Sequence, residues 1–209
     1  IGLARAENLI DNTQNADVFV EVSGLIKACA VNLIKVCNDL RLMSSGPDGG
    51  LVEINLPQKQ AGSSIMPGKV NPVIPEAVVQ AAMAVLGNDV VIAQAAAAGN
   101  LELNPFLPLI ADKLLESADL LVSVCDVLRS QCVLGITANE ERCRENVLNS
   151  TAIITAIMPK IGYERASEIV KSAKIKQISV YNEILFSGLV GEQEMNELIS
   201  PEAVCRLGF

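Results

Sequence analysis

The 209-residue sequence contains no histidine and no tryptophan, and only 3% of its residues are aromatic. Without histidine, the chain lacks the commonest acid–base group near neutral pH and the commonest metal ligand. Any catalysis must therefore use Ser, Lys, Asp, Glu, Tyr or Cys, or borrow a histidine from elsewhere. The start, Ile1 to Arg5, has neither an initiating methionine nor a signal-peptide pattern, so we expect a piece of a longer protein.

Basic residues are also scarce. Lysine and arginine number 16 against 24 aspartates and glutamates, which gives a formal net charge of −8. With no clustered basic run, this balance argues against nucleic acid or an anionic membrane as partner. The apolar stretches are interrupted by polar residues before they reach membrane-spanning length, so we expect no transmembrane helix.

The six cysteines form no C-x-x-C pair. Cys125 and Cys132 are seven residues apart in an apparent helix, which separates them by about 10.5 Å along its axis. That distance is too long for a disulfide. Because no closely spaced Cys/His set is present, we expect no zinc site. We predict no other metal site and no cofactor. Reduced, mostly buried thiols of a cytoplasmic protein are the interpretation that fits best.

Apolar residues recur every three or four positions in two long segments, Asp17–Met43 and Pro105–Leu134. This spacing predicts long helices. Between them, Pro75–Ala98 is apolar on nearly every face and predicts a third helix that other helices surround. No alternating strand pattern is sustained, so the predicted fold class is all-α. The apolar stripe of the first helix consists of Val18, Val22, Leu25, Cys29, Leu33, Val36 and Leu40.

The predicted helices become shorter after Gly135, which predicts two domains. Residues 1–135 form part of a long-helix bundle, and residues 136–209 form a small helical C-terminal domain. Three long helices cannot cover one another completely, so further helices must come from a preceding segment or from sister subunits. The short helices of the second domain are predicted at residues 139–149, 162–173, 179–186 and 192–199.

The segment Gly46–Pro75 departs from this helical pattern, and loops of such length are usually functional or disordered. Its glycines, Gly62 and Gly68, permit unusual backbone angles. Together with the polar side chains nearby, they predict a site for a carboxylate or phosphate beside a helix N-terminus. The alternative is a polar surface loop. A nucleotide-type phosphate loop is excluded because its pattern breaks after Lys69. The polar candidates are Ser63, Ser64, Lys69 and Asn71.

The run Gly62–Pro72, GSSIMPGKVNP, resembles the signature loop of the aspartase/fumarase superfamily without mismatch. The resemblance extends over nearly the whole chain, which looks like roughly the C-terminal half of such an enzyme. Further segments that look like superfamily landmarks are residues 38–41, 45–47, 86–89, 101–104 and 135–140.

The resemblance implies a lyase that releases fumarate from a four-carbon dicarboxylate through an aci-carboxylate carbanion. By resemblance, Ser63 is the general base, and Glu76 matches the acidic residue that orients a histidine from another subunit. Family active sites are assembled from three subunits of a homotetramer, so we expect the 209-residue chain to be inactive alone. The implied substrate-binding groups are Ser64 with the backbone amides of Ile65 and Met66 for one carboxylate, and Lys69 with Asn71 for the other.

Flanking sequences favour aspartases, which remove ammonia from L-aspartate: residues 13–17, 21–23 and 40–43 resemble that branch. The alternatives are a class II fumarase, which removes water from malate, and another superfamily lyase. A non-catalytic helical scaffold is a further hypothesis. The joint presence of Ser63, Lys69 and Asn71 argues against it. Glu102 and Asn104, at a helix junction, are interpreted as capping or packing residues.

Overall fold

The structure, a computed structural model, describes residues 4–60, 66 and 68–205. Almost all regular elements among them are helical, which confirms the all-α fold class. The chain divides into two compact units, residues 1–138 and 139–209, so the division falls three residues after Gly135.

The first unit is built on three long helices. A short helix α1 (Leu9–Gln14) precedes α2 (Asp17–Met43), and α3 (Val73–Ala97) and α4 (Leu107–Gln131) follow. At 1.5 Å per residue, α2 is about 40 Å long. Strands β1 (Ile54–Asn55) and β2 (Thr137–Ala138) pair antiparallel, and one 3₁₀ turn, Val133–Gly135, separates α4 from β2.

Helix α3 packs along both α2 and α4, and the core runs along these two contacts in three clusters. Residues from the start of α2 meet the end of α3, and residues from the end of α2 meet its start, so the helices run antiparallel. The middle cluster joins Ala30, Ala82, Val85 and Leu121. Polar pairs also cross the contacts: buried Ser23 donates a hydrogen bond to Asp89 at 2.7 Å.

The apolar stripe predicted for α2 coincides only in part with its buried face, since Leu33 and Leu40 are half-buried and pack against the core. Val18, Val22, Leu25 and Val36 are all exposed, Leu25 by 70%. The buried positions are Ser23, Ala30 and Cys37, which recur every seven residues. Small side chains let α3 approach closely along this row. For α4, the predicted three-to-four-residue spacing of apolar positions is confirmed by the buried Ile110, Leu121 and Leu128, with Cys132 buried just after the helix and Cys125 exposed.

Helix α3 has the length and apolar composition of a membrane-crossing segment, alone among the described helices. This differs from the sequence-based expectation, which rested on its interrupting polar residues. A core helix of a soluble protein passes the same test. Here α3 carries eight buried residues, including the charged Asp89, and packs against two other helices.

The second unit consists of short helices around a single cluster of eight buried residues. Polar side chains cap several of them: Asn139 accepts a hydrogen bond from the Arg142 amide, and Ser179 accepts one from the Asn182 amide. Buried Glu183 accepts hydrogen bonds from Ser172 and Lys176. The helices are α5 (Glu140–Asn149), α6 (Ile154–Ile161), α7 (Tyr163–Lys176), α8 (Val180–Phe186), α9 (Glu192–Leu198) and α10 (Pro201–Val204), with a 3₁₀ turn at Thr151–Ile153.

Candidate active site

The segment that leaves α2 is fixed by Ser45. Its hydroxyl donates a hydrogen bond to the Leu42 carbonyl at 2.6 Å and accepts one from the Leu51 amide at 3.1 Å. Its carbonyl accepts a further bond from the Val52 amide at 3.0 Å. The turn between them closes so tightly that a Cβ on Gly50 would lie 2.1 Å from the Ser45 oxygen. The sequence therefore needs glycine at position 50.

Beyond this turn, the chain is tied to the end of α4. Strand β1 pairs with β2, which follows α4 by six residues. Two residues after β1, the Pro57 ring lies so close to Gly135 that a Cβ there would be 2.5 Å from the ring. The segment predicted as one long loop is thus anchored at both α2 and α4 before it reaches the signature run.

The signature run ends at the start of α3. Gly68 adopts φ 83°, and within this turn the Lys69 amide donates to the Met66 carbonyl at 3.3 Å. The Val73 amide donates to the Asn71 carbonyl at 2.9 Å, and α3 begins there. The backbone angle at Gly68 is one that residues with a side chain rarely adopt.

The predicted site residues fall into two groups. Three of them, Ser63, Ser64 and Ile65, lie outside the described residues. Met66 is exposed, whereas Lys69, Asn71 and Glu76 are half-buried. Glu76 lies in the first turn of α3. Lys69, Asn71 and Glu76 thus lie within eight residues of sequence that lead into the N-terminus of α3, where an anion is favoured.

A cavity of about 130 Å³ lies between the turn after α2 and the end of the signature run. Its lining includes Gly68, Val70 and Pro72, which are neighbours of the predicted site residues, but not Lys69, Asn71 or Glu76 themselves. One wall comes from the segment after α2 and the other from the end of the signature run. The two ends of the long loop therefore meet at one place beside α3. The lining residues are Ser44, Gly46, Pro47, Val52, Ile54, Asn55, Leu56, Gly68, Val70 and Pro72.

A contact that sequence reasoning missed joins α2 to Glu76. Arg41, in the last turn of α2, places Nη2 3.8 Å from Glu76 Oε1. Its Nη1 donates a hydrogen bond to Asn38 Oδ1 at 3.0 Å. The signal was available: when two long helices pack antiparallel around a loop, the last turn of the first lies beside the first turn of the second.

Near Arg41, the Cys37 and Cys132 side chains are buried at the end of α2. Burial, with the nearby Cys132, raises the pKa of the Cys37 thiol to about 11, although the Arg41 charge acts in the opposite direction. Burial likewise raises the pKa of Cys132. Both thiols are therefore protonated near neutral pH and are packing groups, not nucleophiles. The prediction of mostly buried thiols is only partly right, since Cys29, Cys125 and Cys205 are exposed.

The available chemistry is anion binding and hydrogen bonding. Lys69 supplies a cation, the Asn71 amide supplies donors, and Glu76 supplies a carboxylate acceptor. In the part of the chain that the structure describes, no three His, Cys, Asp or Glu side chains are grouped to hold a metal ion. At the far end of α3, buried Asn104 donates to the Ala95 and Ala96 carbonyls, as predicted for a capping residue.

Two family models match this chain, one in its N-terminal part and one in its C-terminal part. A family model described as Lyase matches residues 1–87, and one described as Fumarase C C-terminus matches residues 153–206. The first match contains the signature run and the first turns of α3. The second covers most of the small unit.

Curated relatives carry the name aspartate ammonia-lyase. The protein of Helicobacter pylori is 51% identical over 197 residues, which are 94% of this chain and 42% of that protein. Those of Escherichia coli and Bacillus subtilis are 46% and 43% identical over 93% and 99% of this chain. The chain thus spans less than half the length of the curated relatives it matches.

Solved structures share the fold. A fumarate lyase:delta crystallin from Brucella melitensis, bound to cobalt, superimposes with a TM-score of 0.85 at 44% identity, covering 94% of this chain and 42% of that one. A class II fumarase from Schistosoma mansoni gives a TM-score of 0.85 at 33% identity, covering 95% and 42%. From the signature run, the paired matches and these neighbours, the chain belongs to the aspartase/fumarase superfamily of lyases.

Proposed function

We propose that this chain works within a longer polypeptide that converts L-aspartate to fumarate and ammonia. The observation that carries the proposal is the run Gly62–Pro72, which contains Lys69 and Asn71 and leads directly into α3, with Glu76 in the first turn of that helix. The choice of aspartate is supported by the relatives from Helicobacter pylori, Escherichia coli and Bacillus subtilis, which are named aspartate ammonia-lyase.

In the proposed mechanism, Ser63 takes a proton from the carbon beside one carboxylate of the substrate. The electron pair moves into that carboxylate and gives a dianionic aci-carboxylate. Ser64 and the backbone amides of Ile65 and Met66 hold this charge as it accumulates. The electrons then return to form the carbon–carbon double bond, and ammonia departs from the neighbouring carbon.

Ser63 can act as a base only if its alkoxide is stabilised, because a serine hydroxyl is a very weak acid. Backbone amides and a nearby cation supply such stabilisation when they are already in position before the reaction. Lys69 is the cation within the signature run itself. With Asn71, it binds the second carboxylate of the substrate, which fixes the reacting carbon relative to Ser63.

The proposed enzyme is a homotetramer whose active sites draw residues from three subunits. The chain contains no histidine, so the imidazole that Glu76 is proposed to orient must come from another segment or subunit. Exposed apolar side chains on the long helices agree with further helices packing there. We therefore expect residues 1–209 alone to have no lyase activity.

A class II fumarase is the second candidate. The match of residues 153–206 to the Fumarase C C-terminus and the likeness to the Schistosoma mansoni enzyme favour it. Both reactions begin with loss of a proton beside a carboxylate, so the same loop serves either one. They differ in the leaving group, which is ammonia from aspartate and water from malate.

The test supplies L-aspartate and L-malate separately to the complete polypeptide and follows the appearance of fumarate. We expect fumarate from aspartate, and we expect Ser63→Ala to abolish it. Ser123→Ala, on the exposed surface of α4, is the matched control and should retain full activity. Fumarate from malate only would establish the second candidate, and full activity of Ser63→Ala would remove Ser63 from its role as base.

A further inference from the structure

The contact between Arg41 and Glu76 links the end of α2 to the start of α3. Their side chains are each 40% exposed, and Nη2 lies 3.8 Å from Oε1. Ion pairs as exposed as this contribute little to stability, because water screens them and ordering both side chains costs entropy. Stability is therefore a weak reason for an arginine at position 41.

The guanidinium of Arg41 is held on its other side as well. Nη1 donates to Asn38 Oδ1 at 3.0 Å, from one turn earlier on the same helix. Nε is buried and has no hydrogen-bond partner among the described residues. Leaving a buried donor unpaired costs free energy, so this placement is maintained against a penalty. The arginine spans two helices in a fixed direction, which a flexible lysine would not reproduce.

We propose that Arg41 is a positioning residue for Glu76, an inference that rests on the proposed function. Glutamate has three side-chain torsions, so its carboxylate orients a partner only when something holds it. Arg41 approaches Oε1 and leaves Oε2 to accept a hydrogen bond from the imidazole of another subunit. The hydrogen bond with Asn38 fixes the Arg41 guanidinium, and the ion pair with Arg41 fixes the Glu76 carboxylate. The Glu76 carboxylate in turn orients the imidazole.

A direct role in substrate binding is the competing explanation for Arg41. Two of its nitrogens already point at Asn38 and Glu76, whereas Lys69 lies on the signature run itself. A substrate ligand, when removed, raises KM. A residue that acts through Glu76 lowers kcat, and its removal has no further effect once the Glu76 carboxylate is absent.

The kinetic test compares Arg41→Gln, Glu76→Gln and the double variant in the complete polypeptide. We expect Arg41→Gln to lower kcat roughly 10- to 100-fold, as misplaced catalytic groups do, with KM nearly unchanged. The double variant should match Glu76→Gln alone, and Arg41→Lys should recover part of the loss because it keeps the charge. Arg129→Gln is the matched control, since Arg129 occupies the last turn of α4.

Two kinetic results would overturn the proposal. One is a loss in the double variant equal to the product of the two single losses. The other is a raised KM for Arg41→Gln with kcat intact, which would make Arg41 a substrate ligand.

A crystal structure of the Arg41→Gln polypeptide keeps this inference separate from the proposed function. We expect the Glu76 carboxylate to turn away from its wild-type position in Arg41→Gln and to keep it in Arg129→Gln. An unchanged Glu76 in Arg41→Gln would overturn the positioning role. If the wild type forms no fumarate from either substrate, the proposed function fails, and the position of Glu76 still decides whether Arg41 directs it.

Discussion

The two units of this chain differ in how completely they bury their apolar residues. In residues 139–205, eight buried side chains form one cluster, with further apolar residues packed around it. In the described part of residues 1–138, the buried residues fall into three smaller clusters, and most of the large exposed apolar side chains of the molecule lie there. The small unit buries its apolar residues within its own core, whereas the long helices expose apolar surfaces suited to packing against other helices.

The largest expected effect comes from a large-to-small substitution in the buried cluster of the small unit. Ile184 is fully buried in its cluster. Ile184→Ala should lower the free energy of unfolding by about 2–5 kcal/mol, through lost apolar burial and the cavity left behind. Phe186, on the same helix, is 76% exposed, so Phe186→Ala should change it by less than about 0.5 kcal/mol. Urea unfolding of each variant measures both, and equal losses would contradict a closed core.

Cysteine reactivity tests which face of α2 is exposed to solvent. Cys37 is buried, and its pKa of about 11 leaves roughly a hundredfold less thiolate than the ordinary value of 9.0. Cys29 lies exposed two turns away. We expect iodoacetamide at pH 8 to label Cys29 at least about a hundredfold faster than Cys37. Mass spectrometry of the native 209-residue chain measures the rates, and similar rates would show that the assigned faces are wrong.

A third change removes a polar contact between the long helices. Asp89 accepts hydrogen bonds from Ser23 at 2.7 Å and Lys27 at 2.6 Å. Asp89→Ala leaves the buried Ser23 hydroxyl unpaired and should cost about 1–3 kcal/mol of unfolding free energy. Asp39→Ala, which breaks the exposed pair with Lys35, should cost about 1 kcal/mol or less. Equal costs in denaturant titrations would mean that the α2–α3 contact is solvated.

The same aspartate gives a pH dependence. Burial raises the pKa of Asp89, but hydrogen bonds from Lys27 and Ser23 lower it by more, so it lies below its ordinary value of 3.8. Its stabilising effect is therefore present above about pH 4 and is lost as the pH falls through the folded-state pKa. The stability difference between wild type and Asp89→Ala should shrink in that acidic range. A constant difference down to pH 2 would contradict the assignment.

The smallest expected effect is an increase in stability. Gly24 lies inside α2, and a Cβ there would meet nothing within 4 Å. Gly24→Ala should raise the free energy of unfolding by about 0.5–1 kcal/mol, because alanine favours the helix. Gly50→Ala should have the opposite sign, since its Cβ would strike the Ser45 carbonyl. A fall in Tm for Gly24→Ala would indicate that this face of α2 is covered in the 209-residue chain.

Helical periodicity located the long helices to within a few residues, but it identified the buried face of α2 only in part. The pattern counts large apolar residues, and that face is built from Ser23, Ala30 and Cys37, which are small enough for α3 to approach. Sequence reasoning also missed α1 and α10, which have six and four residues and are too short to show a period. It missed α6 as well, which contains Pro159, a residue that usually breaks a helix. The prediction succeeded for Asn104 because capping requires only local contacts.

At the candidate site, too, the sequence predicted neighbouring residues but not contacts between distant ones. The signature run is contiguous, so the sequence alone proposes Lys69 and Asn71 within it and Glu76 four residues beyond it, and their roles stay predictions. The contact between Arg41 and Glu76 joins residues 35 positions apart, and only the antiparallel packing of α2 and α3 brings them together. The assignments of Ser63, Ser64 and Ile65 fall outside the described residues and stay predictions.

The central claim is that this chain supplies one part of a shared active site. The most direct measurement assays the purified 209-residue chain, free of longer chains, beside the complete polypeptide with L-aspartate as substrate. We expect fumarate from the complete polypeptide and none from the 209-residue chain. Fumarate from the 209-residue chain alone would contradict it, because a chain without histidine and without the remaining helices would then be sufficient for catalysis.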